Sequence, residues 1–161
     1  MQIYILRHGI AEDGRAGMTD ADRALTAEGK VKLREVLQRG KQAGVDPQVI
    51  LTSPYRRARE TAEIAVAICN SKAQVLETQA LVPNSSPELV WEEIRIHHGD
   101  GGILLAGHEP LLGDVYSYLL GAPGVRIEVK KGSLGRIDVE RMSGAPRGVL
   151  RWLLTPKLAA D

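Results

Sequence analysis

The sequence predicts an α/β protein, a three-layer α/β/α sandwich built on a mostly parallel mixed sheet. Continuous apolar runs at 3–6, 49–51 and 103–105 are typical of buried parallel strands. Segments with helical spacing of apolar residues follow these runs, as crossover helices would. From about residue 126 the chain turns to β-favouring segments separated by glycine and proline. A chain of 161 residues suits a single domain spanning 1–161.

Composition excludes several functional classes. With 21 basic and 20 acidic residues, the net charge of +1 gives no reason to expect nucleic acid or an anionic membrane as partner. No run of 18 apolar residues predicts a membrane span, and no leader is apparent, so we expect a cytoplasmic protein and a monomer. The single cysteine, Cys69, excludes an internal disulfide and is predicted to be a small buried hydrophobe.

Capping signals predict the first helices. Thr26 is a predicted N-cap, and Gly44 can close the helix that follows. The second strand runs into Ser53 and Pro54, which are expected at the N-cap and first position of the next helix. Small residues then form a stripe that suits close packing on a sheet: Ala58, Ala62 and Ala65.

The second half repeats this alternation before it changes. We expect a short strand at 74–78, then a helix from Ser86 to about His97 with Leu89, Val90 and Ile94 facing inward. A buried strand follows, and Pro110 opens another helix. The tail segments RIEVKK, SLGRIDVER and RGVLRWLLT are predicted to form three strands at the sheet edge.

Polar residues stand at three predicted strand exits. Arg7 and His8 follow the first strand, Ser53 and Arg57 the second, and His108 a later one. Because the carboxyl ends of parallel strands meet at one edge of a sheet, these groups are expected to converge. An arginine near a helix N-terminus opposes the helix dipole unless an anion is bound there, which favours an anion-binding role for Arg57.

Neighbouring cations and histidines have simpler interpretations. Arg56 and Arg59 are predicted to lie on a solvated face of the helix. His97 and His98 are adjacent and cannot face one metal from the same side of a helix, so they are predicted to be surface residues. Two arginines and two histidines at one edge form a cationic pocket that suits a phosphoryl group.

Three motifs together carry a resemblance to a known family. They are RHG at 7–9, SPxxRAxxT at 53–61 and GH at 107–108, and the chain resembles the histidine phosphatase superfamily, which has the phosphoglycerate-mutase-like fold. The segment RxLTxxG, with Arg23 and Gly29, is similar to SixA-type phosphohistidine phosphatases. The resemblance implies that His8 attacks phosphorus and that Arg7, Arg57 and His108 bind the phosphoryl oxygens. No metal or cofactor is implied.

Further site residues are expected around this group. Gly9 is predicted to let the chain turn beside the phosphate, Ser53 to line the pocket, and Arg23 to contact an anion at its mouth. The phosphorylated partner is expected to be a phosphohistidine side chain of another protein, because the chain offers little length for a lid over a small substrate.

The family's proton donor has no clear counterpart. Many relatives carry a carboxylate after the third strand, where this chain offers Asn84, Glu88 and Glu92 outside any matching motif. Imidazole, with a pKa of about 6.5, can be protonated without an enzyme acid, so the missing acid favours phosphohistidine over a sugar phosphate. A small-molecule phosphomonoesterase and a phosphohistidine-binding module without turnover stay as alternatives, with a metal hydrolase last.

Overall fold

The computed structural model describes residues 1–99 and 101–161. Six strands form one sheet in the order β3-β2-β4-β1-β5-β6. The strands are β1 Gln2–Arg7, β2 Pro47–Thr52, β3 Gln74–Glu77, β4 Gly102–Gly107, β5 Leu134–Asp138 and β6 Val149–Leu154. The helices are α1 Ala27–Gln42, α2 Arg56–Cys69, α3 Pro87–His97, α4 Leu111–Leu119 and α5 Pro156–Ala159, with short 3-10 turns at Asp20–Asp22 and Gln79–Leu81.

The sheet is mixed, and helices cover both faces. Strands β1 to β4 pair in parallel, whereas β5 runs antiparallel to both β1 and β6. Alternate residues of β1 enter different cores: Ile3 and Ile5 pack with α3 and α4, while Tyr4 and Leu6 pack with α1 and α2. This arrangement confirms the predicted α/β/α sandwich with a mostly parallel mixed sheet.

Two helix predictions need correction. α2 begins at Arg56, not at Ser53–Pro54, because the Ser53 hydroxyl caps the Tyr55 N–H (3.2 Å) and also meets His108. In α3, Leu89 is 56% exposed, and Trp91 is buried with Val90 and Ile94 instead. The inward face of α3 is therefore rotated from the predicted one.

The predicted strand at RIEVKK (126–131) is wrong. β4 and β5 occupy the two edges of β1, so no place beside β1 remains for this segment. It crosses the end of the sheet instead, where the Val129 carbonyl accepts from Arg7. Gly132 follows with a φ of 75° and donates its N–H to the carbonyls of both Arg7 and His8. Two of the three predicted tail strands form, as β5 and β6.

Other sequence predictions agree with the structure. Thr26 caps α1 by accepting from the Gly29 N–H (2.9 Å), and Gly44 has a φ of 88° just beyond the helix. Cys69 is buried, and Ala58, Ala62 and Ala65 are fully buried along α2. In the part of the chain that the structure describes, no helix has the length and apolar character needed to cross a bilayer.

Candidate active site

The carboxyl ends of β1, β2 and β4 lie in register at one edge of the sheet. Arg7 pairs with Gly107, and Thr52 with Ala106, in the strand registers. Beyond the strands, the His8 N–H donates to the Gly107 carbonyl. The predicted residues at the three strand exits are therefore neighbours in space.

Two buried histidines form the centre of the site. His8 is 6% exposed and His108 is 1% exposed, and their ring centroids lie 5.1 Å apart. Burial lowers the pKa of His8 to about 4 and that of His108 to about 3, and the nearby arginine Arg57 adds to both shifts. Both imidazoles are consequently neutral at neutral pH.

The hydrogen bonds of His8 fix which nitrogen is free to react. His8 Nδ1 lies 2.7 Å from the Gly9 carbonyl, which can only accept, so the proton of the neutral ring is assigned to Nδ1. Nε2 therefore keeps its lone pair, and the Nε–H of Arg57 points at it from 3.3 Å. A neutral imidazole whose unprotonated nitrogen lies beside a cation is suited to attack an anionic electrophile.

Arg57 is held from the opposite side by Asp20. Its Nη1 donates to the Asp20 carbonyl (2.7 Å), and its Nη2 pairs with the Asp20 carboxylate (3.1 Å). Arg57 is only 5% exposed, so these contacts direct its Nε toward His8. The pKa of Asp20 lies below its usual value, mainly because Arg23 donates a hydrogen bond to its carboxylate, and Arg57 adds to the effect.

Arg7 and His108 carry buried nitrogen atoms beside the same centre. Arg7 Nη1 donates to the Val129 carbonyl at 2.7 Å. Within the described ranges, Arg7 Nε and His108 Nδ1 are buried without a hydrogen-bond partner. Burial lowers the pKa of Arg7, and the Glu109 carboxylate opposes that shift. Buried polar atoms of this kind are normally satisfied, and an anion can satisfy both.

The profile of the histidine phosphatase superfamily (branch 1) matches residues 3–81. A protein of Picosynechococcus sp. without an assigned function is 38% identical over 163 residues, covering 98% of each chain. The chain belongs to the histidine phosphatase superfamily. The protein histidine phosphatase SixA, solved with tungstate, is 26% identical with a TM-score of 0.86, covering 98% of each chain. The α-ribazole phosphatase of Shigella flexneri is 18% identical with a TM-score of 0.66, covering 97% of each chain.

In this member of the histidine phosphatase superfamily, the other predicted site residues lie around the centre. The Ser53 hydroxyl lies 2.8 Å from His108 Nε2, so Ser53 orients that ring. Arg23 donates to the Glu12 carbonyl and pairs with the Asp20 carboxylate at 2.9 Å. Because Asp20 also pairs with Arg57, this carboxylate connects the two arginines. Arg56 and Arg59 are exposed and pair with Glu60 and Glu77, as expected of a solvated face.

Gly9 has a different role from the predicted one. Its φ is not positive, so the chain there does not need a glycine for a turn. A Cβ on Gly9 would instead lie 2.7 Å from Leu33 Cδ1 and 3.2 Å from the Gly29 carbonyl. A glycine is therefore required at position 9 because α1 packs directly against the backbone there. This packing also fixes the Gly9 carbonyl, which orients the His8 ring.

The candidate proton donors and the other histidines lie apart from the centre. Asn84 and Glu88 are exposed, and Glu92 pairs with Arg95 on the surface of α3. His97 pairs with Glu93, and His98 contacts the Arg95 carbonyl, so both lie at the end of α3 as predicted. Among residues 1–99 and 101–161, no three metal-ligating side chains cluster as a metal site requires.

Two carboxylates at the site, Asp20 and Glu109, were not predicted from the sequence. Asp20 lies in a segment that looked loose, although its spacing of three from Arg23 could have indicated a pair. Glu109 follows His108 directly in the sequence, and this adjacency could have indicated that its carboxylate lies near the site. Burial raises the pKa of Glu109, while a hydrogen bond from the Gly113 N–H and the charge of Arg7 oppose the shift.

The low histidine pKa values predict a loss of stability in mild acid. Between pH 6.5 and about 4 the unfolded chain protonates His8 while the folded state does not, so the free energy of unfolding falls as the pH falls. From about pH 7 to about pH 5 we expect His8 alone to remove about 2 kcal/mol. Urea unfolding of wild type and His8→Asn at both pH values measures this. Equal pH dependence in the two proteins would contradict it.

Proposed function

We propose that this chain is a metal-independent phosphohydrolase that acts on phosphohistidine in proteins and works through a phosphorylated His8. The observation that carries the proposal is the His8 geometry, with Nδ1 tied to Gly9 and the Nε2 lone pair facing Arg57. Similarity over nearly the full chain to the protein histidine phosphatase SixA supports the substrate class.

The proposed reaction has two steps. In the first, the His8 Nε2 lone pair forms a bond to phosphorus while the bond from phosphorus to the substrate imidazole breaks. The departing imidazole takes a proton from solvent, which its pKa of about 6.5 permits. In the second, a water oxygen bonds to phosphorus, the bond to His8 breaks, and inorganic phosphate leaves as the water proton passes to solvent.

Two arginines and the neutral ring of His108 stabilise the phosphoryl charge in both steps. We assign Arg57 Nε, Arg7 Nε and His108 Nδ1 to the phosphoryl oxygens, because the first faces His8 and the other two are buried nitrogens without a partner in the described chain. The ring proton of His108 is placed on Nδ1 in this assignment, since the Ser53 hydroxyl can donate to Nε2. Ser53 positions His108, while Gly9 positions His8. We place Arg23 at the mouth, where it supports Asp20 and lies near an entering anion. Preorganised donors of this kind stabilise the charge of a phosphoryl transition state.

A substrate panel tests the proposal. We would compare kcat/KM for a phosphohistidine peptide, a phosphoserine peptide and a sugar phosphate, each with wild type and with His8→Ala as the blank. We expect the phosphohistidine peptide to be preferred by at least about 100-fold. A flat profile would leave a phosphatase but remove the phosphohistidine assignment. Tight phosphate-dependent binding without phosphate release would instead indicate a binding module.

A small-molecule phosphomonoesterase is the second candidate function, and Glu109 is the observation that favours it. A missing acid favours phosphohistidine only where no carboxylate lies near the site, yet Glu109 follows His108 directly, and its charge acts on Arg7. Burial raises its pKa, which suits a group that donates a proton. Expelling an alcohol requires such a donor, whereas expelling an imidazole does not.

Glu109→Gln is expected to separate these two candidates. If Glu109 protonates an alcohol, kcat/KM for an alkyl phosphate should fall by at least about 10-fold, as loss of a general acid predicts. The value for phosphohistidine peptide should change by less than about threefold. An aryl phosphate, whose leaving group needs no acid, is the control. Equal losses on all three substrates would assign Glu109 to the electrostatics of Arg7 and not to proton transfer.

A further inference from the structure

A cleft of about 580 Å³ opens beside the candidate active site. Its walls come from the first residues of α3, one side of α4 along most of its length, and the segments 121–127 and 145–146. Glu109 lines the cleft directly after His108, and Ile127 lines it two residues before Val129, whose carbonyl holds Arg7. The cleft therefore adjoins the Arg7 side of the site.

The charged side chains that line the cleft are mostly acidic. Three carboxylates, Glu88, Glu109 and Asp114, accompany one guanidinium, Arg126. Glu88 and Asp114 are exposed and sit at the starts of α3 and α4. The phosphoryl side of the site has the opposite sign, with Arg7 and Arg57. A ligand that spans both regions is matched best when it has an anionic end and a cationic body.

The volume of the cleft exceeds what one imidazole ring needs. Pockets for small ligands usually measure about 300–1,000 Å³, so this cleft can hold a ring and the side chains beside it. Ile127 and the ring of Tyr118 add apolar surface for the stems of long side chains. A neutral sugar or alcohol offers no positive charge to the carboxylates.

We propose that this cleft binds the polypeptide around the phosphohistidine and selects substrate segments with lysine or arginine beside the phosphorylated residue. The inference rests on the proposed phosphohistidine phosphatase function. The occupant is a basic segment of a phosphorylated protein, whose phosphoryl group lies at His8 and whose flanking cations face Glu88 and Asp114.

Two phosphohistidine peptides of equal length test the selection. One has lysine on both sides of the phosphohistidine, and the other has glutamate at the same positions. We expect wild type to hydrolyse the lysine peptide with kcat/KM at least about fivefold higher, mostly through KM, since exposed charge pairs contribute modestly. The preference should weaken from about 0.05 M to about 0.5 M salt, because salt screens exposed charges.

Variants locate the preference within the cleft. Glu88→Gln combined with Asp114→Asn should bring the ratio of the two peptides close to one. Glu92→Gln is the matched control, because Glu92 lies one turn along α3 and pairs with Arg95 outside the cleft. Melting temperatures of all variants check that each is folded, and Glu88→Gln alone should give an intermediate ratio.

The outcomes separate this inference from the function on which it rests. Phosphoimidazole, which is too small to fill the cleft, reports whether wild type hydrolyses phosphorus–nitrogen bonds at all. Failure on phosphoimidazole and both peptides would overturn the proposed function. Hydrolysis of phosphoimidazole with equal values for the two peptides would overturn only the cleft assignment. So would a lysine preference that the Glu88 and Asp114 changes leave intact.

Discussion

His8→Ala is expected to abolish turnover, with kcat lower by at least about 10⁴-fold, because it removes the nucleophile on which both proposed steps depend. The Nε2 lone pair faces Arg57, and the Nδ1 bond to Gly9 keeps the ring in that tautomer. The neighbouring imidazole is not expected to substitute, since Ser53 holds His108 Nε2 and the mechanism assigns His108 Nδ1 to the phosphoryl oxygens. Release of inorganic phosphate from a phosphohistidine peptide measures the loss.

The intermediate provides a second readout for the same residue. Wild type quenched during turnover should carry an acid-labile phosphate on His8, and mass spectrometry of the quenched protein locates it. His8→Asn keeps a polar side chain and should be equally inactive. If His8→Ala fails to fold, the folded His8→Asn protein still tests the role of the nucleophile. His98→Ala, at the exposed end of α3, should retain full activity. Full activity in His8→Ala would overturn the mechanism.

Replacing Arg57 should have the second-largest effect. Arg57→Ala is expected to lower kcat by about 10²–10³-fold, the range seen when one preorganised donor to a transition-state oxyanion is removed. Arg57→Lys should recover little of this, because an ammonium keeps the charge but cannot reach His8 Nε2 and both Asp20 acceptors together. Steady-state kinetics on phosphohistidine peptide measure both variants.

An adjacent arginine supplies the control for Arg57. Arg56 is exposed and pairs with Glu60 one turn along α2. Arg56→Ala should therefore leave kcat within about twofold, since it removes only an exposed ion pair, which contributes little to stability, and no donor to the phosphoryl group. Comparable losses in Arg56→Ala and Arg57→Ala would show that the effect comes from general positive charge at the helix start and not from the directed Nε donor.

The α/β/α fold could be predicted from sequence because its parallel strands are short continuous apolar runs followed by capping residues. The position of β1 beside β4 brings Arg7 and His108 together, and the exits of parallel strands made that convergence predictable. All three arginines near the start of α2 oppose the helix dipole, and Arg57 could be separated from Arg56 and Arg59 by its predicted place beside the strand end.

Contacts that depend on tertiary structure could not be predicted in the same way. Asp20 meets Arg57 across 37 residues, and no periodicity connects a polar loop with a helix start. The segment 126–131 has strand-like composition, yet β5 already occupies the edge of β1. In α3, the choice between Leu89 and Trp91 as the buried residue depends on how the helix rotates against α4. Local patterns do not determine that rotation.

Gly132 and Gly107 together clamp the peptide that carries His8. The Gly107 carbonyl accepts the His8 N–H, and the Gly132 N–H bonds the His8 carbonyl, so neighbouring segments restrain the nucleophile's backbone on both sides. By contrast, residues 13–17 are exposed, and Asp20 reaches Arg57 from the far end of that stretch. Insertions or deletions at 13–17 would thus alter access to the site and the hold on Arg57 without moving His8. Residues 13–17 are therefore the segment where engineered changes could alter substrate preference while the nucleophile stays in place.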